Sequence, residues 1–247
     1  MLAAGISDQG RVRPNNEDRF LILDESPLML IAVADGMGGH AAGEVASSMA
    51  LEVIKSYLDS HRREILQTAR QGKTLLPYLQ EMLALANDQI LQSSGENSEY
   101  NGMGTTLTMV LHIFDMSWLA HIGDSRAYLY REQSMQQLTE DHTLVSQLIK
   151  NGQLRAEEAS DHPQRNILTR ALGTDKDAWF DIFPLALQKG DCLLLCTDGL
   201  HSLVGAEEMA GIIAESSSRE EAVAKMVNLA NARGGTDNIT VILAEKL

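Results

Sequence analysis

Two apolar periods alternate along the chain in blocks, and the order of those blocks restricts the fold more than any single motif does. Short apolar runs come first: "LAAGISD", "RFLIL" and "LMLIAVAD" fill most of residues 1–35, broken by a polar stretch from Gln9 to Asp18. They read as strands. From Ala42 the spacing lengthens to three and four through Val45, Ala46, Met49, Val53, Ile54 and Tyr57, the buried stripe of a helix. "QGK" at 71–73 ends it. Leu76, Leu79, Leu83, Ala86 and Ile90 mark a second helix, with Pro77 tolerated in its first turn. Strands then return as "GTTLTMVLHIF", "SWLAHIGD", "RAYLYRE" and "MQQLT", close enough together for an antiparallel meander. Short helices are expected at 143–150 and 155–160, then strands at "WFDIFPLALQ" and "DCLLLCTD". Helices follow at 206–214 and 219–232, the second opened by a capping box of Ser218 and Glu221, and "NITVILAE" is a last strand.

Strands, helix pair, strands, helix pair, strand: strict alternation would have meant a parallel sheet, whereas this grouping predicts an α+β fold of antiparallel sheets with helices packed outside. No Gly- or Pro-rich linker divides the 247 residues, so one domain is expected over 1–247. Residues 141–177 are the least regular and most polar part, an excursion over the surface beside a functional cleft.

The net charge of −14 argues against nucleic acid or an anionic membrane as partner. No apolar run is long enough to span a bilayer, and "MLAAGISDQGR" lacks the pattern of a signal peptide. Cys192 and Cys196, four apart on one strand, share a face but cannot bond, which suits a reducing cytoplasm.

Function is written at the strand ends. Asp35 ends "LMLIAVAD", Asp124 ends "SWLAHIGD", Asp198 ends "CLLLCTD", and Asp237 in "GGTDN" directly precedes "ITVILA". Each has a glycine beside it or within two residues. One such Asp is an ordinary turn or cap residue. Four of them, if the sheets bring their ends together, would repel unless neutralised, and hard oxygen ligands without a matching Cys or His set favour Mg²⁺ or Mn²⁺ over Zn²⁺. The glycines after Asp35 would let the Gly36 carbonyl join the ligands. "RVRPNNED", residues 11–18, is either a solvated loop or, beside such a metal site, the source of an arginine fork for phosphate. Metals with an arginine describe phosphoryl hydrolysis.

Together these motifs resemble the metal-dependent serine/threonine protein phosphatases of type 2C, in their compact bacterial form. "SDQGRVRPNNEDRF", "VADGMGGHAAGEVAS", "GMGTTLT", "AHIGDSRAYLYR", "LTEDHT", "HPQRNILTRALG", "LLLCTDGL" and "GGTDNITVIL" stand in the family's order over nearly the whole chain. The resemblance implies a four-layer αββα sandwich, two antiparallel sheets flanked by pairs of antiparallel helices, with 141–177 as a flap. It implies that Asp35 bridges two Mn²⁺ or Mg²⁺ ions, with the Gly36 carbonyl on one of them, Asp198 and Asp237 completing the first, and Asp124 with Asp198 holding a third. Glu17 and Asp18 would bind metal-held waters, and Arg13 would grip the phosphate. Animal members carry a histidine two residues after the bridging aspartate; here that residue is Met37. His40 could be the leaving-group acid, bind substrate or simply pack. The implied substrates are phosphoserine and phosphothreonine on proteins, with a cognate Ser/Thr kinase as opponent and a monomeric, cytoplasmic enzyme.

Rival chemistries fit less well. A cysteine phosphatase needs Cys and Arg six apart, but Asp198 and Ser202 stand there. The Asp/His ligand set of calcineurin-like enzymes is absent, and a binding-only pseudophosphatase would lack one or more of the four aspartates.

Overall fold

The computed structural model describes residues 1–38, 42–159 and 162–246. Three strands come first: β1 (Leu2–Asp8), β2 (Asp18–Glu25) and β3 (Leu28–Met37). A helical hairpin follows, α1 (Ala42–Arg70) and α2 (Leu76–Glu96). Next are β4 (Gly104–Thr105), β5 (Leu107–Ile113), β6 (Met116–Ile122), β7 (Arg126–Arg131) and β8 (Ser134–Gln137). Beyond α3 (Leu144–Lys150) lie β9 (Asp181–Leu185) and β10 (Cys192–Cys196), then α4 (Asp198–His201), α5 (Ala206–Glu215), α6 (Arg219–Ala232) and β11 (Ile239–Glu245).

All pairings are antiparallel, in two sheets ordered β1-β11-β10-β7-β8 and β2-β3-β5-β6-β9, with β4 added to β3. Side-chain alternation along β3 shows how the layers form. Leu30, Ala32 and Ala34 face α1 and α2 in one core, while Met29, Ile31 and Val33 pack against Leu193, Leu195 and Ile242 of the other sheet. A third core lies outside that second sheet, where Leu194, Cys196, Val241 and Leu243 meet Met209, Val223, Met226 and Ala230 of α5 and α6. Three apolar layers between four layers of backbone make the αββα sandwich. Asp35 belongs to the inter-sheet series 29, 31, 33, so the alternation carries its carboxylate to the rim of the middle layer.

Local rules account for the helix limits. α1 stops at Gly72, whose φ of +65° suits a glycine cap and whose N–H donates to the Ala69 carbonyl. Pro77 sits in the first turn of α2. The expected capping box of α6 is half formed: the Ser218 side chain accepts the Glu221 N–H, but the Glu221 carboxylate reaches the N–H and hydroxyl of Ser217 instead of closing on Ser218.

Three expectations need correcting. The helix placed at 155–160 is, among the described residues, one 3-10 turn at Ala156–Glu158. The strand "WFDIFPLALQ" shrinks to Asp181–Leu185, an edge strand where Pro184 leaves no ladder partner without a donor. Asp198 does not end a strand but starts the short helix α4, with Thr197 at its N-cap position but its hydroxyl given to Asp18 and not to the helix. Cys192 and Cys196 are free, both pack into the outer core, and burial pushes the Cys196 thiol up to about 12. No helix among the described residues is long and apolar enough to cross a membrane.

Residues 141–177 leave and return at neighbouring points. Thr143 bridges Leu168, Leu172 bridges Thr105, and Asn87 on α2 takes the Gly173 N–H while donating to the Asp175 carbonyl. The return limb is thereby tied to the α1/α2 side of the sandwich.

Candidate metal centre

The strand ends converge at one edge of the sandwich. The C-terminal ends of β3, β6 and β10 and the N-terminal ends of β2 and β11 all lie there, because each pairing is antiparallel. A cleft of about 650 Å³ opens at that edge, lined by Asp35, Asp124, Asp198 and Asp237 together with Arg13 and Glu17. The four carboxylates, separated in sequence by as much as the distance from residue 35 to 237, face one space.

Backbone contacts set each of them. The Asp35 N–H donates to Thr106 Oγ1 at 2.9 Å, and its carbonyl accepts the Thr106 N–H and Thr105 Oγ1, both at 2.9 Å. Gly36 places its N–H on the Glu17 carbonyl. A Cβ on Gly36 would stand 2.1 Å from the Gly43 carbonyl oxygen and 2.8 Å from that of Glu17. The glycine after Asp35 is thus required by the approach of α1 to the end of β3, a packing reason distinct from the ligand reason read in the sequence. Gly39 and His40 lie outside the described residues.

Asp18 is opposite Asp35 in the β2/β3 register and only 1% exposed. Its Oδ2 accepts from Thr197 Oγ1 at 2.8 Å, and its Oδ1 has no partner; the same is true of Asp198 Oδ1. Like charges opposed across a strand pair destabilise it, and a buried carboxylate oxygen without a donor costs more still. The electrostatics follow. Burial first, then the neighbouring carboxylates, hold Asp35 well above the usual carboxylate range; the same causes raise Asp124 to about 7 and Asp198 to about 6, and burial lifts Asp18 to about 7 against the neighbouring hydroxyls of Thr240 and Thr197. Glu17 is raised as well, mainly by burial. Arg13 is the nearest cation: its Nη2 donates to Asp237 Oδ2 at 2.7 Å, with half its side chain exposed to the cleft.

One guanidinium does not neutralise five or six clustered carboxyls. Hard-oxygen donors, two orphaned buried carboxylate oxygens and a mutual repulsion that protonation relieves are the conditions a divalent cation would satisfy, so the residues fit the group by their chemistry. Among the described residues, however, no three acidic, His or Cys groups are already drawn together at ion-binding distance. A consequence can be measured. Carboxyls whose folded pKa is raised stabilise the fold below the unfolded value near 3.8, and that stability is lost as pH climbs through the folded values of about 6 to 7. The chelated protein should therefore melt lower at about pH 8 than at about pH 5, while the rise in Tm given by Mn²⁺ should be larger at the higher pH, where protons no longer compete. A Mn²⁺-induced rise of equal size at both pH values would contradict the carboxylate cluster as the binding place.

The structure brings Arg13, Glu17, Asp35, Gly36, Asp124, Asp198 and Asp237 to one cleft, with Asp18 buried opposite Asp35. His40 lies outside the described residues, and the sequence reading missed the residues that hold this set. Asn238 accepts the Glu17 N–H and donates to the Gln9 and Asn15 carbonyls, locking the 9–17 loop onto the Asp237 end of the cleft. Thr106 shares its hydroxyl with Ser125 at 2.7 Å, joining the Asp35 and Asp124 sides. His201 donates from Nε2 to the Asp124 carbonyl. Their partners are distant in sequence, and only their places inside quoted motifs hinted at them.

Known proteins share this sequence and fold. The family model for protein phosphatase 2C matches residues 10–233. The serine/threonine phosphatase Stp of Listeria innocua is 40% identical over 244 residues, 97% of this chain and 94% of that protein. The serine/threonine phosphatase PstP/Ppp of Mycobacterium tuberculosis superposes with a TM-score of 0.87 at 36% identity, covering 99% of this chain and 98% of that one. The catalytic domain of PstP in complex with two manganese ions has a TM-score of 0.84 at 34% identity, covering 99% and 97%. With sequence and fold agreeing over nearly its full length, the chain belongs to the protein phosphatase 2C family of manganese- or magnesium-dependent enzymes, and is a protein serine/threonine phosphatase.

Proposed function

We propose that the cleft holds two divalent ions, Mn²⁺ or Mg²⁺, between Asp35, the Gly36 carbonyl, Asp198 and Asp237, and that Asp124 with Asp198 provides for a third. The observation carrying this is the pair of orphaned buried oxygens, Asp18 Oδ1 and Asp198 Oδ1, beside four mutually repelling carboxyls. When bound, such ions supply an activated water for in-line attack on phosphorus and polarise the phosphate oxygens.

The chain's own groups do the rest. Arg13 spends one donor on Asp237 and has others for a phosphate oxygen pair, so it orients the phosphoryl group in the cleft. Glu17 and Asp18 sit on the β2 side, where acceptors orient water. Met37 lines the cleft at the place of the animal histidine and cannot carry a proton. The return limb of 141–177 contributes Asn166 and Leu168 to the wall, which suits a flap that touches the protein substrate. In the cell the enzyme is read as a cytoplasmic monomer opposing a Ser/Thr protein kinase. The two reduced cysteines support the compartment.

Phosphate release from a phosphothreonine peptide tests the reading. Rates should be high with Mn²⁺ and collapse with chelator, and Arg13→Ala should raise KM by about tenfold while lowering kcat less. Full activity in chelator would remove the metals from the mechanism, and an unchanged KM would remove Arg13 from the phosphate.

A further inference from the structure

Asp124 sits on a turn whose shape is held from outside the cleft. Gly123, the residue before it, has φ of +108°, and a Cβ there would stand 2.5 Å from the Thr106 side chain. Both of the glycine's backbone groups go to one residue, nineteen positions further along the chain. The His142 N–H donates to the Gly123 carbonyl at 2.7 Å, and the Gly123 N–H donates to His142 Nδ1 at 3.1 Å.

The chemistry of the ring is then determined. A backbone N–H is only a donor, so Nδ1 must offer its lone pair, and the single ring proton of a neutral imidazole lies on Nε2. Nε2 faces Asp181 Oδ2 at 3.1 Å, an acceptor in the right place. The other carboxylate oxygen of Asp181 is approached by Arg170 Nη1 at 3.5 Å. The ring is almost fully enclosed, tilted by 42° against His121 with the ring centres 4.7 Å apart, and its burial favours the neutral form. The His142 carbonyl meanwhile accepts the Thr169 N–H, at the point where the 141–177 segment returns.

We propose that His142 is a positioning residue of the phosphatase reaction: through Nδ1 as acceptor, with Asp181 fixing the tautomer, it sets the Gly123–Asp124 turn and so the carboxylate that Asp124 presents to a divalent ion. This rests on the reading of Asp124 given above, and it joins that carboxylate to the root of the flap segment and to edge strand β9.

Two isosteric replacements separate the ring nitrogens. His142→Asn keeps an oxygen where Nδ1 stood and loses the reach to Asp181; His142→Gln keeps a donor near Asp181 and leaves Gly123 without an acceptor. Asp181→Asn leaves the histidine in place. With Arg170 holding the amide oxygen, the amide N–H turns to Nε2 and drives the ring proton to Nδ1, against the Gly123 N–H.

Hydrogen exchange of the Gly123 amide in the metal-free protein and Mn²⁺ binding followed by the free-ion EPR signal read the outcome. His142→Asn should stay within about twofold of wild type on both. His142→Gln and Asp181→Asn should exchange faster and bind the weakest ion roughly tenfold less well. Asp181→Asn carries the comparison should the glutamine variant not fold. Equal exchange in the Asn variant and in the Gln and Asp181 variants would overturn the role of His142. An exchange split with Mn²⁺ binding unmoved would overturn the link from His142 to the ion, whereas Asp124→Asn binding Mn²⁺ as wild type does would overturn Asp124 as a ligand.

Discussion

Asp35→Asn is expected to lower phosphate release by roughly a thousandfold or more, and at the same time to make the chelated protein more resistant to heat than wild type. The two effects have one cause. Asp35 stands opposite Asp18 across the β2/β3 pair, at the rim of the inter-sheet layer, and is held well above its ordinary pKa by burial and by Asp18, Asp198 and Asp124. Without a cation the ionised form destabilises the fold; with a cation it is the proposed bridging ligand. The amide keeps the shape and removes the charge. Position is preserved as well, because backbone bonds to Thr105 and Thr106 fix residue 35, and the hydrogen bond that its side chain shares with Asp198 is one an amide can also make. Melting curves with chelator and with Mn²⁺, beside kcat on a phosphothreonine peptide, give the four numbers needed. The variant should gain in the first curve, lose most of the Mn²⁺-induced rise in the second, and be nearly inactive. A chelated Tm at or below that of wild type would mean that mutual repulsion is not what marks this site.

Much of this could be read before the structure was seen, and the reasons are physical. Strand and helix periods are local, so the blocks and the antiparallel sheets with helices outside them were legible, as was the change of period after Asp35, while the four-layer αββα order came with the family resemblance. The four cleft aspartates were legible because each abuts an apolar run, and antiparallel pairing leaves few ways for those ends not to meet. What failed was decided by register or by distant partners. That Asp18 faces Asp35 follows from a two-residue turn at 26–27, which pairs 25 with 28 and so 18 with 35, but the apolar pattern does not mark which two residues turn. Thr106, Asn238 and His142 matter through bonds to residues far along the chain, and as single letters they are ordinary polar residues. The apolar run reaches Asp198 and makes it look like a strand end, whereas the chain enters a helical turn there, with Thr197 at its first boundary turning its hydroxyl to Asp18 and leaving the turn without a side-chain cap. Glu221 was assigned to Ser218 by spacing, yet the neighbouring Ser217 offers it both a hydroxyl and an N–H.

Gly36 is where the sequence posed the right question and the fold supplied a different answer, and the difference can be tested on stability alone. Were the glycine there only so that its carbonyl could reach an ion, alanine would be tolerated in the metal-free protein, since the residue is extended and carries no left-handed φ. The packing says otherwise. The missing Cβ is replaced by the Gly43 carbonyl, 2.1 Å from where it would be, and Gly43 is itself a glycine pressed against the Gly36 backbone at 2.8 Å. Backbone on both sides cannot rotate away as a side chain would, so α1 must shift off the end of β3. Gly36→Ala should cost about 3 kcal/mol or more in the chelated protein. For a chain of this size that is a fall in Tm of roughly 6–12 °C. Activity should fall with it, because the neighbouring Asp35 moves with the strand. Gly211 gives the opposite case: it lies exposed within α5 with nothing within 4 Å of a Cβ, so Gly211→Ala should stabilise by about 0.5–1 kcal/mol through helix propensity. Should the two alanines change Tm alike without metal, the contact between the end of β3 and the start of α1 is not what sets the mouth of the cleft.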